Sequence, residues 1–262
     1  HMMHETGNTL FMVLLTTFNI LLARYTGQED IIIGVPIAGR YHADLENVMG
    51  LLIETLALRH FPYGNKRLSQ FLEEVKSGTL SAFENQSYPF RKLIKAVADE
   101  RDLSRNPLFD VMLNLQNMHR TDLEIQGLTV TPLPFDPGIA KVDITLEVLE
   151  TDETVEFTLE YALALYKRDT MERLSRCIIT ILNEIAARVP GTLDESGNWQ
   201  EEHDCALFEI DIVPPDQKRL ILDVFNNPEG ITDELPAAPK TELIHHRFQD
   251  TASKFPDAVA IR

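Results

Sequence analysis

The chain has 262 residues, 44% of them hydrophobic and 25% charged, enough for a large soluble core without disulfide or metal staples. Its 41 acids against 24 bases leave a net charge of −17, which argues against nucleic acid and anionic membrane surfaces as partners. Two isolated cysteines, Cys177 and Cys205, form no C-x-x-C pair and no zinc pattern, and fit a reducing cytoplasm better than secretion.

In chain order, His1-Met2 resembles a cloning remnant and is left out of the reading; with it set aside, the sequence is expected to be a piece of a longer protein. The apolar run Leu10–Ala23 is interrupted by Thr16, Thr17 and Asn19 and is too short to span a bilayer. It reads as a buried helix over Thr9–Tyr25 that stops at Gly27. The β-branched run Asp30–Ile37 predicts a strand buried on both faces, followed by a polar loop and a second apolar run over Leu51–Leu58. Helical spacing of Leu68, Phe71, Leu72, Val75, Leu80 and Phe83 predicts an amphipathic helix over Lys66–Asn85, and a short helix is expected from Phe90 to Asp99. Strands are expected at Leu108–Leu115, as one or two more within Leu123–Val130, and in a hairpin of Ile144–Val148 with Val155–Tyr161 around Asp152. A further helix covers Met171–Ala187. Beyond Pro190 the sequence turns polar and acidic. A short helix is expected over Asp216–Phe225, a proline-rich linker over Asn226–Lys240, and a last helix over Thr241–Lys254. Helices interleaved with strands make the first 190 or so residues an α/β (α+β) domain: a mixed sheet packed with helices, trailed by an extended tail.

Four segments carry more than a fold class. Arg24–Arg40, which reads RYTGQEDIIIGVPIAGR, is followed by Leu45–Gly50; then come Tyr88-Pro89-Phe90, Arg101–Asp110 (RDLSRNPLFD), and Ala140–Leu146 (AKVDITL) with Glu160-Tyr161 after it. In this order and spacing they resemble the second half of the condensation domain of nonribosomal peptide synthetases, over about Glu5–Pro190. The tail is similar to the region downstream of such domains: 191–240 resembles a condensation–adenylation linker and 241–262 the start of an adenylation domain.

The resemblance implies a chloramphenicol-acetyltransferase-like lobe forming one wall of a tunnel. Two carrier proteins feed that tunnel with donor and acceptor on phosphopantetheine arms, and the acceptor amine attacks the donor thioester. No cofactor is expected to bind directly. The implied partners are the N-terminal lobe, carrier-protein domains and the downstream adenylation domain, with self-association expected through exposed lobe interface. In that family the active histidine lies in a His-His-x-x-x-Asp-Gly motif of the N-terminal lobe. The local match His245-His246-Arg-Phe-Gln-Asp250 has Thr251 in place of the glycine, reads as a regular helix and lies in the tail. It is read as a surface helix; as a metal pair it fails because adjacent helical residues point about 100° apart.

No catalytic residue and no metal ligand is therefore assigned. By resemblance Gly34, Pro36, Arg40, Glu54, Asp102, Arg105, Asn117 and Asp143 face the tunnel or its substrates. Asp102 and Arg105 can instead form a capping ion pair ahead of the Leu108 strand, and that structural reading is favoured. Gly34, Pro36 and Gly39 at the end of the buried strand fit either a tunnel floor begun by Arg40 or a plain tight turn. Where the family usually reads Gly-x-Phe-Val-Asn-Thr-Leu, this chain has Gly50-Leu-Leu-Ile-Glu-Thr-Leu56, so Glu54 replaces a donor amide with an acceptor and an altered acceptor preference is expected. Pro132–Asp143 resembles a latch that crosses to the other lobe, and Leu108–Asn117 looks like the condensing rather than the epimerizing subtype. Two alternatives remain open: a carrier-docking module without chemistry, and a coenzyme A-dependent acyltransferase of the same superfamily.

Overall fold

The computed structural model describes residues 7–40, 42–97, 105–116, 128, 138–151, 154–188, 204–224, 249 and 251–254. The chain divides into two compact units, His1–Pro214 and Pro215–Arg262.

The first unit is built around helix α1 (Leu10–Thr26). Its ends are set locally. The Thr9 hydroxyl accepts from the Met12 amide, and Gly27 adopts φ 71° while its N–H donates to the Ala23 carbonyl at 2.8 Å. Every residue from Met12 to Leu22 is buried, because α2 (Leu68–Glu84) and α4 (Arg168–Arg188) pack along it and strand β1 (Ile31–Ile37) lies beneath. The polar residues that interrupt this apolar run are partly satisfied within the helix: Thr17 donates to the Val13 carbonyl at 2.9 Å and Asn19 to that of Leu15 at 2.8 Å.

Five strands form one mixed sheet in the order β2-β1-β3-β4-β5, with β2 (Glu54–His60), β3 (Val111–Gln116), β4 (Ile144–Glu150) and β5 (Val155–Tyr161). β1, β3 and β4 run parallel, and the edge strands β2 and β5 run antiparallel to their neighbours. Alternation puts Ile31, Ile33, Val35, Leu58, Leu113, Ile144, Leu146 and Val148 in the core with the helices. The expected hairpin is present, with Ile144 opposite Tyr161 and Glu150 opposite Val155. A short helix α3 (Phe90–Val97) follows the Tyr88-Pro89 turn.

Within the stretch read as linker, residues 204–213 belong to this first unit. Cys205, Leu207 and Ile210 are buried in the core cluster, and the segment is stitched down by Leu68 N–H to Cys205 O (2.8 Å) and Leu207 N–H to Lys66 O (2.9 Å). Asp204 accepts from the Ser69 amide and hydroxyl, and Arg24 donates to Phe208 O at 2.7 Å. The second unit opens with a short helix, α5 (Pro215–Arg219), that continues as a π turn over Leu220–Val224. No helix among the described residues is long and apolar enough to cross a membrane. The predicted strand at Leu123–Val130, apart from Leu128, the latch residues 132–137, the 226–240 linker and His245-His246 lie outside the described residues.

Candidate functional site: the strand-end recess

Phe109 joins the family-like segments. Gly34 sits in the middle of β1, and a Cβ there would come within 2.3 Å of the Phe109 ring. The Phe109 ring also packs on Phe90, centroids 5.8 Å apart. On its C-terminal side, the Asp110 carbonyl accepts from the Asp143 amide at 3.0 Å. Segments far apart in sequence, around Gly34, Phe90, Asn106–Asp110 and Asp143, thus meet at one place. Glycine in a β-branched strand is explained by this close approach. Gly34→Ala is expected to cost about 1–3 kcal/mol by overpacking. Shortening the ring with Phe109→Leu should recover part of that loss, so urea denaturation of the two single variants and the double will show non-additivity.

Next to Phe109 a half-open recess of 480 Å³ lies at the N-terminal ends of β1, β3 and β4, between the end of α1 and the start of α4. Its polar lining includes Arg105, Asp110, Asp143 and Tyr166, and its apolar lining Leu22, Leu108, Met171 and Leu174. Arg105 forms an ion pair with Asp110. Partial burial, reinforced by the Asp110 charge, pushes the Asp143 carboxyl above its ordinary range, with Arg105 opposing. Burial and then the two carboxylates raise the Tyr166 phenol as well. At the rim, Arg59 grips Asp30 through two bonds of 2.8 and 2.7 Å, holding that carboxyl below the usual range. Tyr25 donates toward or accepts from Cys177 Sγ at 3.6 Å, and burial first, then this contact, lifts its phenol to about 12. Among the described residues no group of three or more His, Cys, Asp or Glu is placed to hold a metal ion.

The sequence-derived residues do not form one cluster. Arg105 and Asp143 share the recess. Gly34 and Pro36 lie inside β1, and Pro36, opposite Thr55, is beyond the single β1–β3 pairing at Gly34–Met112, where its missing N–H is tolerated. Arg40 and Glu54 lie at the other end of β1, roughly 20 Å away at strand rise. There Arg40 bonds the Ala38 and Val48 carbonyls and so fastens the 38–48 loop. Gly39 holds φ 64° with its Cβ position only 1.8 Å from the Leu52 carbonyl, so this turn requires glycine. Glu54, exposed at the start of β2, borders a 250 Å³ recess with Pro89, Phe90 and Arg91. Asp102 and Asn117 lie outside the described residues; among the described residues Arg105 pairs with Asp110, five residues on. Sequence reasoning misses Phe109, Asp110 and Tyr166; the first two stand inside a family-like segment, while Tyr166 carries no local signal.

A sequence-family model of the condensation domain matches residues 1–207. The chain belongs to the condensation-domain family. It is 40% identical to tyrocidine synthase 3 of Brevibacillus parabrevis over 257 residues, 98% of this chain and 4% of that protein. It is also 40% identical to bacitracin synthase 3 of Bacillus licheniformis over the same length, again 98% of this chain and 4% of that one. The condensation-family chain therefore spans a small fraction of these relatives.

Among solved structures it resembles a holo four-domain nonribosomal peptide synthetase bound to AMP and glycine, with TM-score 0.68 at 23% identity, covering 81% of this chain and 16% of that one. The first condensation domain of the CDA synthetase superposes with TM-score 0.59 at 17% identity, over 80% of this chain and 43% of the other. At these identities the superpositions show a shared fold, the mixed sheet with packed helices expected of an acetyltransferase-like lobe.

Proposed function

We propose that this chain is the C-terminal lobe of a peptide-bond-forming condensation domain, supplying one wall of the tunnel through which phosphopantetheine-tethered donor and acceptor meet. It has no condensing activity alone, because the histidine that the family uses belongs to the other lobe. Its partners are that N-terminal lobe, two carrier-protein domains and an adenylation domain joined through the tail. It binds no cofactor of its own; the phosphopantetheine arms belong to the carriers.

The observation that carries this reading is the exposed apolar loop between β1 and β2. Met49 and Leu51 are 98% and 90% exposed, with Val48 and Ile53 beside them, next to the Arg40 and Glu54 positions. Such a contiguous apolar loop is out of place on an isolated soluble body and fits a surface made to be covered. Within the tunnel wall, Arg105 and Asp110 hold the strand ends and Glu54 faces the acceptor side. The convergence of the family-like segments on Phe109 supports a role in shaping that wall.

The test is complementation. The roughly 150 residues encoded immediately upstream, the scale of one lobe, are produced separately and mixed with this chain. Loaded donor and acceptor carrier proteins are then added and dipeptidyl-carrier formation is followed by mass spectrometry. Product is expected from the mixture and from neither part alone. Turnover by this chain alone, or a mixture that binds both carriers without product, overturns the reading. The second outcome would leave a docking module.

A further inference from the structure

β5 is an edge of the sheet, and among the described residues nothing pairs with its far side. The parity of its ladder is fixed at both ends. Ala162 N–H donates to Asp143 O at 3.0 Å, and Thr151 N–H to Thr154 O at 2.9 Å. Residues 154, 156, 158, 160 and 162 therefore bond inward to β4. In an antiparallel pair the alternate residues point their N–H and C=O groups away, so Val155, Phe157, Leu159 and Tyr161 present theirs to the open edge. The edge is neither short nor broken by proline or a bulge; of the usual means of blocking such a template it has only charge, at Glu156 and Glu160.

Two features beside this edge differ in character. Under it, a recess of 320 Å³ is lined by Leu146, Phe157, Leu159, Ile178 and Ile179 with Arg176. Ile179 is itself 43% exposed. On the opposite face of the hairpin stand Glu147, Glu156 and Glu160, in register with Thr158, Leu149 and Thr145.

We infer that the β5 edge is a docking site for an extended polypeptide segment with alternating apolar and basic side chains. Such a segment adds a sixth strand. Its residues opposite Phe157 and Leu159 point into the apolar recess, and its residues opposite Glu156, Thr158 and Glu160 lie among the carboxylates, where lysine or arginine forms cross-strand pairs. A second copy of this chain is a poor occupant. The antiparallel self-pairing with complete overlap, centred on Thr158, sets Glu156 against Glu160 twice, and like charges directly opposite are destabilising. This inference does not depend on the catalytic reading above, since β5 contributes none of the tunnel residues assigned there.

The test uses the full chain and a labelled nine-residue peptide alternating lysine and valine, against an isomer with the same residues in two blocks. The alternating peptide is expected to bind at least about tenfold more tightly, and Glu156→Lys with Glu160→Lys to remove about tenfold of that affinity. Hydrogen exchange of the wild-type chain, which needs no variant, should show new protection at the Phe157 and Leu159 amides when the alternating peptide is added. Equal binding of the two isomers, unchanged exchange at those amides, or a self-dimer that protects β5 overturns the proposal.

Discussion

Leu207→Ala and Ile210→Ala are each expected to lower the stability of the first unit by about 2–5 kcal/mol, the cost of truncating a fully buried aliphatic side chain. Leu207 and Ile210 are 2% and 1% exposed and belong to the same core cluster as Leu72 and Ile181. Phe208 between them is 58% exposed, and Phe208→Ala should cost well under about 1 kcal/mol apart from its backbone contacts. Residues 204 and 205 replace water for two amides at the head of α2: the Cys205 carbonyl accepts from Leu68 and the Asp204 carboxylate from Ser69, and at a helix N-terminus these amides have no partner within the helix. Urea midpoints for the three variants measure the contrast. Equal, small effects at all three positions would mean that 204–213 is merely laid on the surface. For the same reason, a chain ended near residue 190 is expected to be far less stable than one ended at 214.

That boundary shows where reading by composition stops. Pro190 and the acidic stretch after it mark a change in character, and composition ends the lobe there. Cys205, Ala206, Leu207 and Ile210 are too short a run to register as an element, yet they close the end of the core where Arg24 and Lys66 wait for them. The legible features are local. Thr9 and Gly27 bracket α1 because capping is a matter of a few neighbouring residues, and the Val155–Tyr161 hairpin announces itself by alternation on either side of a turn. Strand order is not legible, since the pairing of β1 with β3 rather than with a sequence neighbour alone depends on the helices that must cover one face.

The candidate site divides along the same line. The family-like segments can be marked in the sequence as a set, but not the reason they go together, which is the Phe109 ring lying on Gly34 and against Phe90. Spacing suggests Arg105 with Asp102, which lies outside the described residues; the ion pair of Arg105 with Asp110, five residues on, carries no helical-spacing signal and forms where the chain enters β3. Resemblance marks Asp143. Its raised carboxyl pKa is a product of tertiary structure: burial raises it first, and Asp110, which adds to the rise, reaches it only across the β3–β4 pairing.

Acidification should reveal one more group that sequence reading misses. His60, at the end of edge strand β2, is 5% exposed, packed edge-on against Phe71 with centroids 6.4 Å apart. Its Nδ1 faces Asn19 Nδ2 at 3.4 Å; since an amide nitrogen only donates, the ring accepts there and is neutral. Burial pulls its pKa down to about 4, with Glu74 pulling the other way and Lys66 reinforcing the drop. The unfolded chain takes up this proton near pH 6.5 and the folded one only near 4, so the stability is whole above 6.5 and is lost as pH falls between these values. The loss attributable to His60 amounts to roughly 3 kcal/mol once pH is below both. Asp143 acts with the opposite sign, because its folded-state pKa is raised and its protonation favours the folded chain, so it cannot be the source of that loss. His60→Gln keeps an acceptor for Asn19 and removes the titration. Denaturation from about pH 7 to about pH 4 should show the variant losing less stability than the parent by about that amount, with the curves diverging below pH 6.5. Parallel curves would mean that His60 takes up its proton in the folded chain as readily as in the unfolded one.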